Sequence, residues 1–118
     1  KLRAAWTLLI VMSIALLVEA SFPSTVPEHN ISHFDKALHF LAYGTLAWLT
    51  IYVLIKSKIA DIKYPYIISV VYILLLGIAT ESIQSFTPGR DASIDDIIAD
   101  LIGAVFFLLI FKQQFKAN

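Results

Sequence analysis

Four long apolar runs leave this chain few ways to fold. They extend from Leu2 to Val18, from Phe34 to Ile55, from Tyr64 to Phe86 and from Ile94 to Phe111. A helix needs about 20 residues to cross the hydrocarbon of a bilayer, with a range of about 17 to 25. All four runs fit, the first and last at the short end. The strands of a membrane barrel would alternate apolar and polar residues. Runs such as Ile67-Ile68-Ser69-Val70-Val71-Tyr72-Ile73-Leu74-Leu75-Leu76 do not alternate. Unpaired backbone groups are intolerable in lipid, which leaves helices. The expected fold is all-α, a four-helix transmembrane bundle forming one domain across residues 1–118.

Composition points the same way. Apolar residues make up 58% and charged residues 15%, with a mean hydropathy of +0.78. A soluble domain carries about 25% charged residues, so much of this surface is expected to face the lipid bilayer. The formal net charge is zero, which gives no basis for a nucleic-acid partner. Without cysteine there is neither a disulfide framework nor a thiolate zinc site.

Lys1 and Arg3 precede an apolar stretch that ends Val18-Glu19-Ala20. That pattern also fits a signal peptide with a cleavage site; the retained anchor is the preferred reading. With four crossings, Lys1, Arg3, Lys56, Lys58, Lys63, Lys112 and Lys116 fall on one side. Lys36 and Arg90 fall on the other. The lysine-rich side is expected to be cytoplasmic, with both termini inside. The loop from Glu19 to His33 and the turn from Thr87 to Ala92 then face outward. Asn30-Ile31-Ser32 matches a glycosylation sequon, a pattern too short to carry weight. His29 and His33 read as solvated loop residues rather than metal ligands.

The chemistry-bearing residues lie in two blocks. At the start of the second run, Asp35, His39 and Tyr43 are spaced by four and share a helical face. Asp35 alone would be explained by the helix dipole, but that does not account for the two residues beneath it. The second block runs from Glu81 to Gly103 through the Pro88-Gly89 turn. Glu81 and Gln84 share one face; Asp96, Asp100 and Gly103 share another. Ser93 and Asp96 resemble a helix-capping pair, with Asp in place of the usual Glu. Ionisable residues about 7 Å inside a span face the bundle interior, where they are paired, protonated or functional. Helices joined by a tight turn are antiparallel neighbours, so these polar ends converge. The expected outcome is an outer-leaflet pocket lined by Asp35, Lys36, His39, Tyr43, Glu81, Gln84, Arg90, Ser93, Asp96 and Asp100. The plainer alternative is a hydrogen-bonded network that only holds three helices together.

The two blocks resemble the VanZ-like family of small bacterial membrane proteins. The resemblance rests on Asp35-Lys36-x-x-His39-Phe40-x-x-Tyr43, on Glu81-x-x-Gln84-x-Phe86-x-Pro88-Gly89-Arg90-x-x-Ser93-x-x-Asp96, and on Gly103. It covers the chain from Phe34 to Phe107. Asp100 departs from the family, which usually has Asn there. The resemblance implies a multi-pass protein of the bacterial inner (cytoplasmic) membrane with an envelope role. The family's namesake is associated with teicoplanin resistance.

Three functions compete. The first is an envelope protein that binds a lipid-linked or glycopeptide-type ligand, with Arg90 and Lys36 suited to phosphate. The second is a membrane hydrolase using acid–base or metal-assisted chemistry. There His39 is the base, Asp35 orients it and Glu81 is the acid, and the carboxylate-and-His set suits a divalent metal. The third is an accessory subunit with a protein partner.

Overall fold

A computed structural model describes residues 1–23, 32–57 and 63–117. Four helices follow one another: α1 (Leu2–Ala20), α2 (Ser32–Lys56), α3 (Pro65–Ser85) and α4 (Ile94–Ala117). They form an elongated bundle of 45 × 23 × 22 Å. The helices coincide with the four apolar runs but for their ends. α4 continues furthest beyond expectation, because Lys112, Gln113 and Gln114 are good helix formers that extend it past the apolar run.

By length and composition, α1, α3 and the Asp35–Lys56 part of α2 can cross a membrane. α4 is not among these three; Asp95, Asp96 and Asp100 crowd its first two turns. Three of the four expected spans thus meet that test of length and composition. Beyond its acidic start, α4 exposes Ile98, Ile102, Val105, Phe106 and Leu109 along one face. α3 likewise exposes Ile67, Ile68, Val71, Leu75 and Ile78. Apolar side chains displayed in such rows suit lipid rather than water.

α2 and α4 form the most extensive helix pair, while α1 packs on α2 and α3, away from α4. The α2–α4 seam is reciprocal. Gly44 of α2 lies under the Phe107 ring, and Gly103 of α4 abuts the backbone of Phe40. Each glycine is four residues from the phenylalanine on its own helix, and α2 and α4 run parallel, so the fit repeats one turn further along. Tyr43, Leu46, Ala47, Ile51, Ile73, Ala104 and Phe111 fill the core. Trp48 meets Phe111 edge-on at 4.9 Å.

The α3–α4 connection is a tight turn. The Arg90 N–H donates to the Thr87 carbonyl at 3.2 Å, and Gly89 takes φ 75°. Pro followed by a positive-φ Gly is the signature of a type II turn. This turn brings the polar end of α3 beside the polar start of α4.

Candidate functional site

Parallel packing of α2 on α4 sets two ladders of polar residues side by side. Asp35, His39 and Tyr43 descend α2, and Asp96 and Asp100 descend α4 beside them. His39 Nδ1 lies 2.7 Å from Asp100 Oδ1, and the Asp100 side chain is wholly buried. His39 Nε2 faces Asp35 Oδ2 at 3.7 Å. Lys36 Nζ sits 3.7 Å from Asp96 Oδ1. Below them the Tyr43 ring stacks on His39 with centroids 5.8 Å apart. Thr80 donates to the Gly77 carbonyl at 3.0 Å. The Tyr43 hydroxyl therefore donates to Thr80 Oγ1, 2.8 Å away.

Glu81 joins this network from α3. Its Oε2 accepts the Ser93 backbone N–H at 2.8 Å, and Ser93 Oγ accepts the Asp95 N–H at 3.1 Å. Ser93 thus caps α4 as expected, but its partner in the cap is not Asp96. Glu81 reaches across from the neighbouring helix and takes the N–H that a capping-box acid would take. Asp96 turns to Lys36 instead.

Arg90 stands apart. Its Nε donates to the Phe22 carbonyl at 3.1 Å and one terminal nitrogen to the Glu19 carbonyl at 2.9 Å. The same nitrogen pairs with the Glu19 carboxylate. Thr87 Oγ1 also contacts the Ala20 carbonyl at 3.0 Å. These groups fasten the C-terminal end of α1, whose last carbonyls have no helical partner. The guanidinium expected to grip a phosphate is spent on α1.

Beside the network lies a cavity of about 270 Å³ between α1, α2 and α3. Asp35, His39, Tyr43 and Gln84 line it, together with Glu19, Thr80, Leu16, Leu38 and Ala42. Four of the expected site residues therefore face the cavity. Lys36, Glu81, Ser93, Asp96 and Asp100 lie behind it in the α2–α3–α4 network. Thr80 and Glu19 were missed from the sequence. Thr80 precedes Gln84 by four residues and so shares its face, a signal that was available. Glu19 matches Arg90 at the same bundle end, again a readable complement of charge.

Two carboxylate oxygens in the network, Glu81 Oε1 and Asp100 Oδ2, are buried without a hydrogen-bond partner among the described residues. Asp35, His39 and Asp96 each present a ligand atom, all within 4.8 Å of one another. His29 and the Asn30-Ile31 part of the sequon lie outside the described residues, as do the side chains of Ser32 and His33.

A family model described as VanZ/LLP1 matches residues 2–116. The match includes α1, which extends the resemblance beyond the two polar blocks. No curated protein and no solved structure matches the chain.

Proposed function

The chain belongs to the VanZ/LLP1 family, and from that premise we propose that it is a bacterial cytoplasmic-membrane protein binding a lipid-linked or glycopeptide-type ligand at the outer leaflet. The observation that carries this reading is the two-sided wall of the cavity. Leu16, Leu38 and Ala42 form an apolar side, and Leu38 is also exposed on the bundle surface. Asp35, His39, Tyr43, Thr80 and Gln84 form a polar side. A ligand with a hydrocarbon part and a part rich in hydroxyl, amide or amine groups matches both. Carboxylates, an imidazole and an amide recognise such groups by hydrogen bonding. Because Arg90 and Lys36 are engaged by Glu19 and Asp96, the reading rests on these acceptors and not on phosphate capture.

The placement follows from charge. Lysines at the chain ends and after α2 mark the cytoplasmic side, so the polar end of the bundle faces outward. α4 crosses beside α2, its acidic start shielded by α2 and α3 and its apolar face turned to lipid. The bundle's 45 Å length matches a bilayer of about 40–45 Å including headgroups.

Native mass spectra of protein released from mild detergent test the ligand reading. Wild type should carry an amphiphilic adduct, and Leu38→Trp, which fills the cavity from its exposed side, should lose it. Bare wild type, or an adduct unchanged in Leu38→Trp, refutes the reading. A stoichiometric protein in the spectra would instead indicate the accessory-subunit role.

One observation favours the enzyme reading as a second choice. Asp100 holds His39 Nδ1 while the other ring edge faces Asp35 at the cavity, the arrangement of an oriented general base. Asp100, and not Asp35, is then the orienting residue. Turnover of a polyprenyl-phosphate or phospholipid that disappears in His39→Gln would establish it. Lack of turnover with Mg²⁺, Mn²⁺ and Zn²⁺ would remove it.

A further inference from the structure

His39 has one nitrogen fixed and one free to bind. The short 2.7 Å contact of Nδ1 with Asp100 Oδ1 places a proton on Nδ1 when Asp100 is ionised. In the neutral ring Nε2 then carries a lone pair. Nε2 lies 3.7 Å from Asp35 Oδ2, a separation that either a ring proton or a bound cation would bridge. Asp96 contributes the third atom, with all three inside 4.8 Å. Metal–ligand distances of about 2.0–2.4 Å put two ligands at most about 4–4.8 Å apart. Small side-chain rotations would therefore close the triad on one ion. A metal-binding histidine almost always donates its other N–H to a carboxylate, and Asp100 is in that position.

Glu81 supplies independent support. Its Oε1 is buried and unpaired, and the residue is only 5% exposed. Among the described residues, Lys36 is the one lysine or arginine that pairs with any of Asp35, Glu81, Asp96 and Asp100. Three buried carboxyl groups, Glu81, Asp96 and Asp100, thus share one lysine and one histidine, at a depth where uncompensated charge is costly.

We infer that Asp35, His39 and Asp96 bind one divalent transition-metal cation at the mouth of the cavity, with Asp100 orienting His39 and Glu81 supporting the charge from behind. An imidazole with two carboxylates suits an ion of manganese or zinc type. Asp35 and His39 also line the cavity, so remaining coordination positions open towards it. This inference stands whether or not the amphiphilic-ligand reading survives, because it concerns the apo cavity and the ion alone.

The test is Mn²⁺ titration of the full chain in mild detergent after chelation, followed by electron paramagnetic resonance, with Zn²⁺ as competitor. One Mn²⁺ per chain is expected, showing a nitrogen coupling from His39 that is absent in His39→Gln. Outer-shell changes alone cost about 10–100-fold in metal affinity. Asp35→Asn and Asp96→Asn, which remove direct ligands, should therefore cost no less. Asp35 is half-exposed, so its Asn variant should stay monodisperse. Both variants should lose the cation-induced rise in melting temperature. No bound Mn²⁺ or Zn²⁺ in wild type would overturn the inference, as would equal affinity in the two Asn variants or an unchanged nitrogen coupling in His39→Gln.

Discussion

Replacing Gly103 by Ala tests whether the packing of α2 on α4 sets the geometry of the polar site. A methyl at Gly103 would overlap the Phe40 carbonyl oxygen and lie 2.9 Å from Phe40 Cα and 3.0 Å from its carbonyl carbon. Carbon atoms pack best at about 3.5–4.0 Å, and the obstacle is backbone, which cannot swing aside. The helices must part by about 1 Å at this point. His39 adjoins Phe40, and Asp100 lies one turn before Gly103. The 2.7 Å contact between His39 and Asp100 would then stretch beyond hydrogen-bond reach. Overpacking costs about 1–3 kcal/mol and loss of a charged hydrogen bond about 1.5–3 kcal/mol. The better helix propensity of Ala returns up to about 1 kcal/mol. A net loss of about 2–5 kcal/mol is expected. Gly44→Ala is the comparison: its methyl would meet Phe107 ring atoms at 2.7 and 2.8 Å, and a ring can rotate away. Its cost should stay near 1–2 kcal/mol, the lower part of the overpacking range. Thermal melts in one detergent, followed by helical circular dichroism, would rank the variants. Gly103→Ala melting at or above wild type, or above Gly44→Ala, would refute the reasoning.

Other changes probe single contacts. Glu81→Gln keeps an acceptor for the Ser93 N–H and should melt close to wild type. Glu81→Ala leaves that N–H unpaired and should cost about 1–3 kcal/mol, so equal melting of the two would remove the cross-helix cap. Tyr43→Phe loses the buried bond to Thr80, whose own proton remains with Gly77. Its expected cost is about 0.5–1.5 kcal/mol by thermal melt, and no change would show that the bond contributes nothing. Arg90→Lys keeps the charge but cannot reproduce contacts from two guanidinium nitrogens. Hydrogen exchange near Ala20 should rise almost as much in Arg90→Lys as in Arg90→Ala, and full protection in the Lys variant would contradict the fork.

The helices and the convergence of polar residues were legible because both follow from periodicity. Apolar length fixes a span, and spacing by four puts Asp35, His39 and Tyr43 on one face whatever they touch. Partner choice was not legible. Asp96 was matched with Ser93 because three residues separate them on one helix. Glu81, twelve positions away in sequence, takes that place through the turn. Arg90 reads as a free cation until Glu19 and the end of α1 are set beside it. Gly103 shares a face with Asp96 and Asp100 and so reads as part of the site. Its contact with the Phe40 backbone shows that its role is close approach. Gly44 and Gly77 likewise sit at close approaches, to the Phe107 ring and the Asp100 carboxylate.

The unequal anchoring of the helices decides which wall of the cavity can yield. α2, α3 and α4 are locked together by buried side chains and by the bonds among His39, Asp100, Tyr43, Thr80, Glu81 and Ser93. α1 buries only Ala5, Leu9, Ser13 and Ala20. Side-chain bonds tie it near its start (Trp6 to Ser57, 2.9 Å), at its middle (Ser13 and Tyr72, 2.6 Å) and at its end through Arg90 and Thr87. Such interhelical bonds contribute about 0.6–2 kcal/mol each in a bilayer, and lipid matches the apolar side chains that α1 would uncover. Leu16 and Glu19 of α1 close the cavity on one side, so displacing this helix widens it while the network behind His39 stays intact. Under the proposed ligand reading, Arg90 would bear on access to the cavity through its hold on Glu19, and not through contact with a ligand.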